Sequence, residues 1–162
     1  MAHPLHRKAM STSHFDVTSS SEAATRAAAA QFAATLAPGA VVGLIGPLGA
    51  GKTAFARGVI MALHGTPAVF HGSPTFALVH EYRAALAPVF HFDFYRITVA
   101  AEIAALGWAD YCTPASICLV EWADRFAAVL PAQTRWLDCA VIALHTRRFN
   151  ETSISLSPQV SL

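Results

Sequence analysis

The pattern of apolar positions changes period several times along the chain, and each change marks a predicted element. Residues 21–36 suit an alanine-rich helix that is capped by Ser20 or Ser21 and stopped by the Pro-Gly pair that follows. Residues 40–45, AVVGLI, form a continuous apolar run, as expected for a strand that is covered on both faces. Helical spacing resumes at 53–63 after a glycine-rich loop. The first third of the chain therefore predicts a helix, a buried strand and a second helix.

The rest of the chain adds more strand-like runs. We predict strands at 76–82, 88–95 and 116–122, a helix at 98–106, and two weakly alternating strands within 135–156 around a turn near 146–150. Because helices and strands interleave, the predicted class is α/β, a mixed sheet flanked by helices. At 162 residues the chain suits a single domain, predicted at 18–162 after a loose extension at 1–17.

The composition narrows the class of protein. A net charge of +1 with 13% charged and 54% hydrophobic residues describes a compact protein, so any contact with RNA would be local or shared with a partner. Three cysteines without a CxxC pair favour the cytoplasm, and residues 1–15 lack the apolar core of a signal peptide. The uncharged stretch 27–51 is interrupted by Pro38 and Gly39, so we interpret it as helix, turn and strand and expect no membrane association.

A phosphate-binding motif follows the first buried strand. Residues 46–53, GPLGAGKT, match G-x-x-x-x-G-K-[ST] at every fixed position and lie between a strand and a helix, and we call them the phosphate loop. Backbone amides from Gly49 to Thr53 can point at phosphates, Lys52 can reach the β- and γ-oxygens, and the Thr53 hydroxyl can bind Mg²⁺. The loop predicts a P-loop NTPase-like fold that binds a nucleoside triphosphate.

Two carboxylates stand at the ends of predicted strands. Asp93 lies in FHFDFYRI, with His91 on its face of the strand and phenylalanines on the other face, and Glu121 ends ICLVE. A buried carboxylate needs a partner, and a Mg²⁺ ion held beside phosphates would supply one. Two alternatives stay open. In the first, Asp93 would cap a local turn or pair with Arg96. In the second, Glu121 would pair with Arg125 one helical turn later.

Two further features of the sequence bear on how the nucleotide is bound and on which nucleotide it is. In SPTF the proline can present the Thr75 hydroxyl to a γ-phosphate or its attacking water, although a plain loop entering a strand fits equally well. Guanine-specific proteins of this fold use an Asn/Thr-Lys-x-Asp motif. The chain has two lysines, neither in that setting, so ATP is preferred over GTP.

Taken together, GPLGAGKT, HGSPTFALVHEY, FHFDFYRI and ICLVEW, in this order, closely resemble the bacterial TsaE (YjeE) family, the ATPase of tRNA threonylcarbamoyladenosine biosynthesis. The resemblance implies a cytoplasmic ATPase that uses ATP and Mg²⁺ and works with the TsaD and TsaB proteins. Hydrolysis would cycle that complex, and tRNA would be met only through it.

The resemblance also implies roles for individual residues. Thr53 and Glu121 would bind Mg²⁺, Asp93 would be a catalytic or metal-orienting carboxylate, and Thr75 a switch-like hydroxyl. The implied phosphate cradle consists of Gly49, Ala50, Gly51, Lys52, Thr53 and Ala54. The implied neighbours of the base are Ser21, Glu22, Thr25, Thr146 and Arg147.

The chain departs from the family pattern at Pro47, where an acidic residue is common, and at Trp122-Ala123, where Trp-Pro is usual. Neither departure touches the phosphate and metal roles. Two other functions stay open. A small-molecule or nucleoside kinase shares the phosphate loop but usually has an arginine-rich lid, and a scaffold that holds ATP without turnover has almost the same sequence.

Overall fold

The computed structural model describes residues 14–65 and 70–154. The strands are β1 (Asp16–Ser19), β2 (Val41–Ile45), β3 (Val79–Tyr82), β4 (Val89–Asp93), β5 (Ile117–Glu121), β6 (Arg135–Ala143) and β7 (Thr146–Thr152). The helices are α1 (Glu22–Ala33), α2 (Lys52–His64), α3 (Ala100–Ala105) and α4 (Trp108–Tyr111), with a 3₁₀ segment at Ala123–Val129. This arrangement confirms the predicted α/β class with a mixed sheet flanked by helices.

The seven strands form one sheet in the order β1-β7-β6-β2-β5-β4-β3. Strand β2 runs parallel to β5 and β6, and β4 runs parallel to β5, whereas the outer pairs are antiparallel. The carboxyl ends of β2, β4 and β5 therefore meet at one edge of the sheet, where α/β proteins place their ligands.

Apolar side chains cover both faces of the sheet. Helices α1 and α2 pack on one face, where Phe32 and Phe55 are buried. A Cβ added at Gly58 of α2 would lie 2.5 Å from the Cβ of Ala29, so the glycine lets the two helices approach closely. The alternate phenylalanines of β4 and the residue that follows it pack on the other face with α3 and α4. The alternation predicted for this strand is thus confirmed.

Several boundaries differ from the prediction. Asp16 and Val17, placed in the loose extension, already pair in β1 with Asn150 and Phe149, and only residues 1–13 of that extension lie outside the described ones. A four-residue edge strand has too few positions to show a period, and its partner lies far along the chain. The turn predicted near 146–150 is wrong, because the chain turns at 144–145 and enters β7 at Thr146.

The remaining differences are local. Strand β3 begins at Val79 rather than 76, after Leu78 adopts a positive φ of 67° that interrupts extended backbone. The stretch 27–51 folds as predicted into the end of α1, a turn and β2. Within residues 14–65 and 70–154, no helix is both long and apolar enough to cross a membrane.

Candidate functional site

The phosphate loop leaves the carboxyl end of β2 and leads into α2. Gly46 and Gly51 have φ values of 127° and 94°, a region that side chains with a Cβ rarely adopt. A Cβ at Gly46 would collide with the carbonyl oxygen of Cys139, and one at Gly51 would lie 3.3 Å from the ring of Phe149. These contacts explain why the loop requires glycine at both positions.

A cleft of about 400 Å³ opens in front of this loop. It is lined by most of the residues that the sequence placed in the nucleotide site: Gly49, Gly51, Lys52, Thr53, Ala54, Thr75, Asp93 and Glu121. Within the predicted phosphate cradle Ala50 is the exception, because its side chain is fully buried and its amide donates to the carbonyl oxygen of Pro47 at 3.2 Å. Four separate segments of the chain thus meet at one cleft.

Lys52 folds back onto its own loop. Its Nζ donates to the carbonyl oxygens of Gly46 at 2.7 Å and Pro47 at 2.8 Å, and lies 3.7 Å from the centroid of the Trp122 ring. Burial lowers the pKa of Lys52 below that of a free lysine, and neighbouring acidic groups oppose this shift. The ammonium group is therefore desolvated and placed where charge-assisted hydrogen bonds are strong.

Glu121 connects the loop to the sheet. Its Oε2 accepts a hydrogen bond from the Thr53 hydroxyl at 2.7 Å, and its Oε1 lies 2.8 Å from Nε2 of His91. The alternative pairing with Arg125 does not occur, since that guanidinium donates to the carbonyl oxygens of Phe94 and Tyr95. The hydroxyl and carboxylate predicted to bind Mg²⁺ are thus in direct contact.

Asp93 holds the loop that contains Thr75. Its Oδ2 accepts hydrogen bonds at 2.7 Å from the hydroxyls of both Ser73 and Thr75, and its Oδ1 accepts from the backbone amide of Tyr95 at 2.9 Å. Asp93 therefore caps the local turn through the Tyr95 amide and also holds the loop that contains Thr75. The proposed pairing with Arg96 does not form, because Arg96 lies over the ring of Phe76, 4.7 Å from its centroid.

Sequence reasoning missed four residues of the first cleft. Leu48, Ser73, Tyr95 and Trp122 also line it. Trp122 follows Glu121 directly and has a positive φ of 56°, which turns the chain so that its ring reaches Lys52. Ser73 lies two residues before Thr75, and this short spacing is the feature of the sequence that could have placed its hydroxyl in the cleft. The positive φ of Trp122 has no counterpart in the sequence.

A second cleft of about 450 Å³ adjoins the other side of the phosphate loop and shares Gly49, Gly51 and Ala54 with the first. It is lined by Ser21, Glu22, Thr25 and Arg147, four of the predicted neighbours of the base, whereas Thr146 does not line it. Two charged groups of this cleft already have partners. Glu22 pairs with Arg26 and Arg57, and Arg147 donates to the carbonyl oxygen of Gly49 at 2.9 Å.

The oxygen donors of the first cleft suit a hard cation. Hydroxyl and carboxylate oxygens, supplied by Thr53, Glu121 and Asp93, are the groups that Mg²⁺ prefers, and an ion bound largely by phosphate and water needs few of them. Strand, glycine loop, lysine and helix, with a carboxylate on the adjacent parallel strand, define a protein of the P-loop NTPase fold.

Comparison with known proteins identifies the particular family. Residues 19–150 match the family model "Threonylcarbamoyl adenosine biosynthesis protein TsaE", and the chain belongs to this family. Its relatives include proteins named tRNA threonylcarbamoyladenosine biosynthesis protein TsaE. The one from Bacillus subtilis is 40% identical over 67% of this chain and 66% of its own length. The one from Rickettsia conorii is 32% identical over 85% and 83%.

A third relative of the same name, from Haemophilus influenzae, is 41% identical over 56% of either chain. The match therefore spans less than two thirds of the Haemophilus and Bacillus relatives. Among solved structures, the crystal structure of Bacillus subtilis YdiB superposes with a TM-score of 0.70 at 29% identity, covering 88% of this chain and 86% of that one. Both the predicted family and the predicted fold are confirmed.

Proposed function

We propose that this protein binds ATP with Mg²⁺ at the first cleft and hydrolyses it. The observation that carries the proposal is the 2.7 Å hydrogen bond between the hydroxyl of Thr53 and the carboxylate of Glu121. It joins the last residue of the phosphate loop to the end of the adjacent parallel strand, at the edge where the loop presents its amides. Hydroxyl, carboxylate and ammonium groups together suit a triphosphate and its cation.

Each residue has a distinct part in the proposed reaction. The amides of Gly49 and of Gly51 to Ala54 and the ammonium group of Lys52 hold the phosphates, whereas the Ala50 amide donates to Pro47 and supports the loop. Thr53, Glu121 and Asp93 hold Mg²⁺, which when bound neutralises charge on the phosphate oxygens. Thr75 is released from Asp93 and orients the γ-phosphate or its water.

The second cleft is the proposed place of the base and ribose. It continues from the phosphate loop through the residues that the two clefts share, and it is lined by Glu22 and Arg147. Since Arg147 donates to the carbonyl oxygen of Gly49, its part in nucleotide binding is to hold the phosphate loop in place at the edge of this cleft. The preference for ATP over GTP rests on the absence of a guanine-reading Asn/Thr-Lys-x-Asp motif from the sequence.

The pathway follows from the family. We propose that ATP hydrolysis supports threonylcarbamoyladenosine modification of tRNA in the cytoplasm, together with TsaD and TsaB, and that it cycles that complex. A net charge of +1 supports a protein that meets tRNA only indirectly through its partners.

A turnover assay on the purified chain tests this proposal. ATP and GTP are compared with and without Mg²⁺, and nucleosides and small alcohols are added as candidate phosphate acceptors. Release of inorganic phosphate from ATP supports an ATPase. Transfer to an acceptor would make the protein a kinase, and binding without turnover would make it a scaffold.

Loss of the modified nucleoside from tRNA of cells depleted of the protein tests the pathway.

A further inference from the structure

A completely buried histidine contacts the carboxylate of the site. His91 lies in the middle of β4 with 0% of its surface exposed, and its Nε2 is 2.8 Å from Oε1 of Glu121. The other carboxylate oxygen, Oε2, accepts from the Thr53 hydroxyl. Each oxygen of Glu121 thus has its own partner, one toward the core and one toward the phosphate loop.

The hydrogen-bonding pattern assigns the proton on this ring. A carboxylate only accepts hydrogen bonds, so Nε2 of His91 carries the hydrogen that is donated to Glu121. Among the described residues, Nδ1 of His91 is buried and has no hydrogen-bond partner.

An aromatic ring packs against His91. The Phe70 ring stacks against it with centroids 5.9 Å apart and an interplanar angle of 29°. His91 shares a strand face with Asp93, and Asp93 is the register partner of Glu121 in β5. The histidine therefore lies on the core side of the two carboxylates and reaches across to the neighbouring strand.

We propose that His91 is a positioning residue that fixes the rotation of the Glu121 carboxylate, so that Oε2 faces Thr53 and the Mg²⁺ of the nucleotide complex. This inference rests on the proposed function. Without the Nε2 donor the carboxylate is free to turn, and the affinity for the cation falls while phosphate contacts by the loop persist. Removing the partner of a metal ligand typically weakens metal affinity or activity by about 10- to 100-fold.

Two amide variants isolate the donor. The side-chain nitrogen of glutamine reaches about as far as Nε2 of histidine, whereas that of asparagine stops near Nδ1. We therefore expect His91→Gln to keep the bond to Glu121 and His91→Asn to lose it. His80→Gln is the matched control, because His80 is the register partner of His91 in β3 but packs against His71 and Tyr82 instead.

The readout is binding, measured apart from turnover. A fluorescent ATP analogue is titrated in EDTA and in Mg²⁺, and Mn²⁺ binding to the analogue complex is followed by electron paramagnetic resonance. We expect His91→Asn to weaken Mn²⁺ binding by about 10- to 100-fold while affinity in EDTA is unchanged. His91→Gln and His80→Gln should stay close to the wild type.

The outcomes separate the inference from the proposed function. Equal Mn²⁺ affinity in the asparagine and glutamine variants, or an equal loss with and without the cation, would overturn the positioning role. A wild-type protein that binds no nucleotide with Mg²⁺ would overturn the proposed function and the inference with it. Should the asparagine variant not fold, ¹⁵N NMR of the wild-type ring decides: a hydrogen on Nδ1 instead of Nε2 refutes the inference, and one on Nε2 supports it.

Discussion

The ammonium nitrogen of Lys52 lies 3.7 Å from the centroid of the Trp122 ring while it donates to two carbonyl oxygens of its own loop. The negative face of the ring and the carbonyl oxygens together stabilise a desolvated cation. In the proposed nucleotide complex, phosphate oxygens would replace these carbonyl acceptors.

Replacing Lys52 tests the loop directly. We expect Lys52→Ala to weaken ATP binding by about 10- to 100-fold, because each charge-assisted hydrogen bond contributes about 1.5 to 3 kcal/mol. Isothermal titration gives the affinity and thermal unfolding checks the fold. Arg148→Ala is the control, since it removes a cation that pairs with Asp16 outside both clefts. Unchanged ATP affinity in Lys52→Ala would show that this part of the phosphate loop does not bind the nucleotide.

Glu121→Gln keeps the shape of the side chain and removes its charge. We expect turnover to need more Mg²⁺ and the free energy of unfolding to fall by about 1 to 3 kcal/mol, because one amide cannot accept from both Thr53 and His91. A magnesium titration of turnover and urea unfolding measure the two effects. Glu81→Gln, the same change at an exposed position of β3 outside both clefts, is the control. If Glu121→Gln titrates with Mg²⁺ like the wild type, Glu121 does not bind the cation.

Thr75→Val removes the hydroxyl without changing the size of the side chain. Thr75 donates to Asp93, and we propose that it is released to orient the γ-phosphate or its water during the reaction, so we expect slower turnover with ATP affinity retained. Thr75→Ser keeps the hydroxyl and should restore turnover. Steady-state kinetics give kcat and KM for all three proteins. A higher KM at unchanged kcat would show that Thr75 binds the ground state instead.

The isolated chain should bind ATP and hydrolyse it slowly until TsaD and TsaB are added. Arg125 and Arg147 lie beside the clefts, but their guanidinium groups donate to backbone carbonyls, so a cation for the transition state is expected from a partner. An arginine supplied in trans contributes about 10³ to 10⁵ in rate in some systems. Steady-state hydrolysis with and without both partners, at matched salt and Mg²⁺, measures the response. Full activity alone, with no response to the partners, contradicts this prediction.

The ion pair between β6 and β7 predicts a pH dependence of stability. Arg135 donates to both carboxylate oxygens of Glu151, at 2.7 and 3.1 Å, and these bonds lower the pKa of Glu151 below its usual 4.5. The stabilisation is complete above the usual pKa and is lost as the pH falls through the lowered one.

We therefore expect Glu151→Gln to lose about 1 kcal/mol of unfolding free energy at neutral pH, with the difference closing in acid. Urea unfolding across the acidic range measures it. Asp16→Asn, which breaks an exposed pair with Arg148, is the control and should change stability less. A difference that stays constant with pH would assign the effect to packing.

The sequence alone was enough to predict the phosphate loop, its two flanking elements and the family. Each of these predictions depends on short runs of consecutive residues, and the family depends on four such runs in a fixed order. Eight adjacent positions define the loop, the apolar run before it indicates a buried strand, and helical spacing follows Thr53. The serine cap of α1 is local in the same way, because Ser21 accepts from an amide three residues later.

The contacts between distant side chains could not be predicted from the sequence. Thr53 and Glu121 are 68 positions apart and His91 and Glu121 are 30 apart, so their contacts depend on strand order and register, which one sequence does not display. The same holds for β1, which pairs with β7 and forms one edge of the sheet, and for Arg147, whose Nε donates to the carbonyl oxygen of Gly49 in the phosphate loop. The local spacing of apolar residues determines which segments become helices or strands. Pairing between distant segments depends instead on the free energy of the whole packed fold.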